Sequence, residues 1–226
     1  MMLNLLDQAV SLLSSILRLG SGARAADAGP RPTELLTIYE FEGCPFCRKV
    51  REAMTRLDLD VDVRPCPKGG QRFRSELVAM AGKAQFPYLI DPNTGDQMYE
   101  SAAIIRHLYT HYGNGRPPLI LSLGPLTDLL LQLAMIPRLG RGVRVRPSRL
   151  PEQALTLTGY EASPGTRRAR ELLTTMELPY RLLQAPPGGA RQQHSATRVP
   201  DLLDPANDQT VTGADAIIGY LLSTYR

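Results

Sequence analysis

The chain has 226 residues, 43% hydrophobic and 21% charged, which is enough apolar material for one large buried core or two small ones. Its 26 basic and 22 acidic residues leave a net charge of +4, too small a bias to mark a nucleic-acid-binding protein. Three cysteines, an odd number, argue against a secreted disulfide scaffold and suggest a reducing, cytoplasmic setting.

The first segment, Met1–Leu19, is apolar but lacks a basic leader, and Asp7 interrupts it early. Asn4, Asp7, Ser11, Ser14, Ser15 and Arg18 fall on one stripe at helical spacing. That pattern predicts an amphipathic helix rather than a signal peptide or a membrane span. Leu35–Tyr39 reads as a strand, Pro45 suits the first turn of a helix, and Phe46–Leu57 has helical spacing. Val61–Val63 alternates as a second strand that stops at Pro65, and Arg74–Ala81 reads as a short helix. Tyr88–Ile90 and Gln97–Tyr99 are strands around the turn Asp91–Gly95, and Glu100 or Ser101 opens a helix through Tyr112. The order βαβαββα predicts an α/β thioredoxin-like domain with a parallel first pair and a closing hairpin. Leu126–Ile136 is a second apolar helix, too short to cross a bilayer. The basic run Arg138–Arg146 reads as a solvated linker, with a patch for anionic lipid or another acidic partner as the alternative.

The chain repeats itself. One constant shift carries Glu42, Pro45, Arg48, Arg51, Glu52, Thr55 and Leu59 onto Glu161, Pro164, Arg167, Arg170, Glu171, Thr174 and Leu178. A slightly shorter shift carries Phe86-Pro87 onto Val199-Pro200, Asp91-Pro92 onto Asp204-Pro205, and Ala103–Ile105 onto Ala216–Ile218. Upstream, Leu19–Arg24 corresponds to Leu139–Arg144. The expected organisation is an N-terminal helix and hinge (1–30), a first domain (31–115), a helix and basic linker (116–152) and a second domain (153–226). Two tandem thioredoxin-like domains, each preceded by an amphipathic helix, would then form a pseudo-two-fold body. Membrane-surface contact through the first helix is the competing role for that segment.

The chemistry concentrates at Cys44-Pro45-Phe46-Cys47. A cysteine at a helix N-terminus meets unsatisfied N–H groups and the positive end of the helix dipole, both of which favour thiolate. Cys47 lies one turn on, where it can resolve a mixed disulfide at Cys44. A zinc half-site is the competing reading; it would need ligands from Cys66, His107, His111 or His194. Phe86-Pro87 before a strand predicts a cis-proline opposite the active cysteine. Cys66, after the second strand, is either a further resolving thiol or a small buried residue.

Tyr39 followed by Cys44-Pro45-Phe46-Cys47, then Phe86-Pro87, then Tyr99-Glu100-Ser101 before a helix, resembles glutaredoxins and the N-terminal domain of glutathione transferases. The run Arg64–Arg74 is similar to a subgroup of tandem glutathione-transferase N-domain proteins from photosynthetic organisms and bacteria. The resemblance implies glutathione as cosubstrate. Its γ-glutamyl group would be held by Glu100 and Ser101, and its cysteine by the backbone at Phe86 and Pro87. Arg48, Lys68 and Arg72 are candidates for the glycyl carboxylate. The implied activity is a glutathione-dependent thiol–disulfide oxidoreductase of glutaredoxin type, acting through Cys44 and Cys47 on a protein disulfide or glutathionylated thiol. Two alternatives stand beside it. One is a module binding glutathione, a metal or an iron–sulfur cluster, with a partner-recruiting second domain. The other is a glutathione transferase without the helical C-terminal domain. The second domain has Ser163-Pro164-Gly165-Thr166 and Gly213-Ala214 where the first has its cysteines and Glu100-Ser101, so it is expected to be degenerate. Stromal or membrane-peripheral placement is compatible with this reading.

Overall fold

The computed structural model describes residues 20–122, 140–194 and 199–226; the two predicted amphipathic helices, with their packing and any membrane contact, lie outside them. The first unit contributes β1 (Leu36–Glu40), α1 (Pro45–Arg56), β2 (Val61–Pro65), α2 (Arg72–Ala81), β3 (Tyr88–Asp91), β4 (Asp96–Tyr99) and α3 (Ser101–Tyr112). A helical turn, α4 (Leu119–Ser122), follows. The second unit then runs β5 (Leu155–Gly159), α5 (Pro164–Thr175), β6 (Tyr180–Gln184), α6 (Ala190–His194), β7 (Asp201–Asp204), β8 (Gln209–Thr212) and α7 (Ala214–Tyr225). Both units have the βαβαββα order of the thioredoxin fold. Helix α2 starts at Arg72, two residues ahead of the predicted Arg74.

The two units share one eight-stranded sheet, in the order β4-β3-β1-β2-β6-β5-β7-β8. In an isolated unit β2 would be an edge, with a row of unpaired N–H and C=O groups. Here β6 covers it antiparallel, with Val61 opposite Leu182, Asp62 opposite Arg181, and Val63 opposite Tyr180. In the sequence repeat Val61 corresponds to Tyr180 and Val63 to Leu182, so this ladder maps onto itself when the copies are exchanged. The main apolar core is continuous across the junction, running from Leu36, Val50 and Leu108 to Leu157, Leu173 and Leu221.

Helix α1 is buried almost all round. Val50, Ala53 and Met54 pack into the core, yet Arg48, Lys49, Arg51 and Glu52 are buried as well. The charges are matched across the junction. Arg51 bonds Glu161 at 2.8 Å and Glu40 at 2.6 Å, while Arg170 bonds Glu42 at 2.9 Å and Glu161 at 2.6 Å. Taking such charges out of water costs several kcal/mol per ion, roughly, and only close multiple contacts offset it. The short helices are tied in the same crossed way. The Arg72 N–H donates to Glu177 Oε1 at 3.2 Å, and the Ala190 N–H to Asp58 Oδ2 at 2.9 Å. Each helix start is therefore satisfied by a carboxylate of the other unit.

The basic linker departs from the expected solvated strand of chain. The Lys68 N–H donates to the Val143 carbonyl at 2.6 Å, and the Val145 N–H to the Lys68 carbonyl at 3.0 Å. Its backbone is thus paired to the first unit, while Arg141, Arg144 and Arg146 keep exposed side chains. Among the described residues no helix is long and apolar enough to cross a membrane.

Candidate functional site

Strand β1 delivers the chain to a short loop, and Cys44 forms the N-cap of α1 with extended dihedrals (φ −90°, ψ 120°). Pro45 follows at the first helical position, where no N–H is needed. The Cys47 N–H donates to Cys44 Sγ at 3.2 Å. Hydrogen bonds from Cys47, first its thiol and then its N–H, outweigh the burial that would disfavour the charge. With the Arg51 guanidinium nearby they hold the Cys44 thiol below its ordinary pKa. Burial, then the bond to Cys44, pushes the Cys47 thiol well up. Both cysteines are free. The pair therefore divides into one sulfur disposed to ionise and one kept protonated beside it. Cys44 is 4% exposed and Phe46, between the two, is 39% exposed.

Cys66 is different. It lies at 0% exposure in a second apolar cluster with Tyr39, Phe73, Leu77 and Tyr88. Burial raises its thiol pKa strongly, and Sγ rests 3.4 Å from the Arg64 carbonyl. This is a packed core thiol, not an activated one.

Phe86-Pro87 is a cis peptide. Phe86 meets Phe41, on the loop leading to Cys44, edge to face at 6.0 Å between ring centres. Among the described residues no hydrogen bond involves the Phe86 main-chain N–H or C=O. Glu100 stands immediately before α3 at φ 68°, ψ 112°, a region costly for any residue with a Cβ, and Gln85 donates to its carboxylate. Ser101 is buried at the first helical position, and no side chain caps that helix end. The main-chain pair at Phe86, the uncapped helix start and the Glu100 carboxylate are donors and acceptors of the kind that a γ-glutamyl tripeptide requires.

The three basic candidates fall apart. Arg48 is buried at 1% exposure in the junction, bonded to Glu52 at 3.2 Å and 3.6 Å from Glu161, so its guanidinium is committed away from a ligand. Arg72 is held by Ser148 Oγ at 2.8 Å and the Met176 carbonyl at 3.1 Å. Lys68 remains exposed, beside the linker arginines. The residue that sequence reading passed over is Arg74. Its guanidinium lies 4.6 Å from the Phe86 ring centre and 5.9 Å from that of Phe41, anchored by Nε to the Pro67 carbonyl at 2.6 Å.

In the second unit Ser163 caps α5 as Cys44 caps α1, accepting from the Thr166 N–H at 3.3 Å, and Val199-Pro200 is also cis. The loop there lies tight against the proline, however. A Cβ on Gly165 would stand 2.6 Å from Pro200 Cδ, whereas Phe46 occupies the matching position in the first unit. At the Glu100 position stands Gly213, with φ 92° and ψ 143°.

The profile of the family described as "Glutathione S-transferase, N-terminal domain" matches residues 38–117 and again 157–226. Among solved structures, a glutathione transferase of Bombyx mori is 26% identical over 37% of this chain and 38% of its own, with a TM-score of 0.33. Among curated proteins nothing matches.

Proposed function

The chain belongs to the glutathione S-transferase N-terminal-domain family, and from that premise we infer a glutathione-dependent thiol–disulfide oxidoreductase working through Cys44. The observation that carries the reading is the unequal cysteine pair, with the Cys44 sulfur stabilised as thiolate by bonds from a protonated Cys47. In the reaction the Cys44 thiolate attacks a glutathionylated thiol, R–S–SG. A Cys44–S–SG bond forms, the RS–SG disulfide bond breaks, and R–S⁻ leaves to take up a proton. A second glutathione thiolate then attacks the glutathione sulfur, releasing glutathione disulfide and regenerating the Cys44 thiolate. With a protein disulfide, Cys47 loses its proton and displaces the substrate sulfur, leaving a Cys44–Cys47 disulfide for glutathione to reduce.

Glutathione is seated by Glu100 and Ser101 on its γ-glutamyl end and by the Phe86 main chain at its cysteine. Arg74, and Lys68 at longer reach, are the groups for its glycyl carboxylate. Glutathione-driven reduction of hydroxyethyl disulfide tests the proposal. Cys44→Ser should abolish turnover, while Cys47→Ser should keep activity with glutathionylated substrates. Turnover unchanged in Cys44→Ser would overturn it.

A further inference from the structure

Away from the cysteines, at the outer edge of the first unit, three metal-ligating side chains converge. Asp96 begins the edge strand β4, and His107 and His111 sit one turn apart on the same face of α3. One ligand atom of each lies within 4.8 Å of the others. His107 Nδ1 is 3.7 Å from Asp96 Oδ2, and the two imidazole centres are 4.5 Å apart. Donors that each lie 2.0–2.2 Å from a tetrahedral zinc stand roughly 3.3–3.6 Å from one another, so only small side-chain rotations are needed.

The imidazole of His107 is oriented for this work. Its Nε2 lies 2.8 Å from Asp91 Oδ2. Asp91 Oδ2 also accepts from the Tyr112 hydroxyl at 2.7 Å, and as an acceptor it takes the His107 N–H at Nε2, which leaves the Nδ1 lone pair facing Asp96 and His111. A carboxylate behind a histidine in this way sets tautomer and ring direction at metal centres.

The second unit shows that the fold does not need this trio. Gln209, Tyr220 and Thr224 occupy the matching positions. The Tyr220 hydroxyl still donates to Asp204 Oδ2 at 2.7 Å, as His107 does to Asp91. A tyrosine satisfies the buried carboxylate equally well, so packing does not account for imidazole at 107, nor for the histidine and carboxylate beside it.

We propose that Asp96, His107 and His111 bind one divalent zinc-class cation, with a water completing a tetrahedral set. Two imidazoles and one carboxylate suit zinc and its neighbours better than magnesium or calcium. Asp96 and His111 are exposed, which gives the ion a way in, and the bound ion would tie the edge hairpin to α3.

The thiols of Cys44 and Cys47 also attract zinc, so the test uses the full chain carrying Cys44→Ser and Cys47→Ser. Ser163 already caps the equivalent helix, so this background should fold. Zinc is titrated against a chromophoric chelator, and cobalt is added as a spectroscopic probe. The expected result is one equivalent bound, with cobalt d–d bands and no sulfur charge-transfer band. His111→Ala and His107→Tyr should each weaken binding at least tenfold, and zinc should raise the midpoint of thermal unfolding in the parent but in neither variant. His111 is exposed and His107→Tyr copies the second unit, so neither should unfold the protein. Substoichiometric binding, or an affinity that neither histidine substitution changes, would overturn the proposal.

Discussion

Glu100→Gly should make the protein more stable and remove its grip on glutathione. Glu100 holds φ 68° and ψ 112°, while the second unit reaches a similar backbone shape with Gly213. A side-chain-bearing residue in such a region costs about 1–3 kcal/mol. Glycine would relieve that cost but give back about 0.5–1 kcal/mol through the larger freedom of the unfolded chain. The one bond lost, from Gln85, is at the surface. The net is a gain of about 1 kcal/mol, which for a chain of this size raises the unfolding midpoint by about 2–4 °C. Thermal unfolding followed by circular dichroism reads the first effect, and calorimetric titration with glutathione the second. The reciprocal change, Gly213→Ala, meets no atom within 4 Å of the new Cβ, so any loss of stability there is backbone strain alone. A Glu100→Gly protein that is less stable, or that binds glutathione as before, would refute the view that this carboxylate is kept at a conformational cost for its ligand.

Other consequences are open to measurement. Glu161→Gln leaves Arg51 and Arg170 short of a buried counter-charge, and should cost about 3–5 kcal/mol in urea unfolding. Burial would raise the Glu161 pKa, but Arg170 and Arg51 outweigh it and hold it at about 2, against 4.5 for the free side chain. Its stabilising contribution is therefore complete above about pH 4.5 and fades as the pH falls towards 2. A pH-dependent urea midpoint equally steep in Glu161→Gln would contradict this. In native protein at neutral pH, iodoacetamide should modify Cys44 well before Cys47 or Cys66, and the Cys44 rate should drop only as acid protonates its thiolate; equal rates at Cys66 would sink the assignment. Gly165→Ala presses a Cβ onto Pro200 and should cost about 1–3 kcal/mol. Stability unchanged in that variant would show that this contact can give way.

The course of each unit could be read from residues because local signals agreed. Pro45 marked a helix start, Asp91–Gly95 a hairpin turn, and the repeat supplied each element twice. What escaped was the meeting of the units. Arg48, Arg51 and Glu52 look like a solvated helix face, and Arg48 looked like an anion holder beside Cys44; they are buried because a second copy covers them. The hint lay in the repeat itself, where Glu42, Arg48 and Arg51 recur as Glu161, Arg167 and Arg170 although the cysteines do not. Charges kept in both copies while the thiols are lost point to the contact between copies. Arg74 was missed for a narrower reason: the rings it faces, Phe41 and Phe86, come together only through the fold. The Asp96–His107–His111 cluster was invisible because only the β3–β4 hairpin brings the aspartate to the helix.

The ladder between β2 and β6 is self-complementary, and that has a consequence for the ancestry of such a chain. A single unit carries on one strand everything needed to pair with another copy of itself, so its free form should be a homodimer with two equal sites. Joining two copies in one polypeptide replaces concentration-dependent pairing by an intramolecular one. Once the partner is guaranteed, one copy can lose its cysteines and still serve by its shape. The close approach of Gly165 to Pro200 and the glycine at position 213 are what such a release leaves behind.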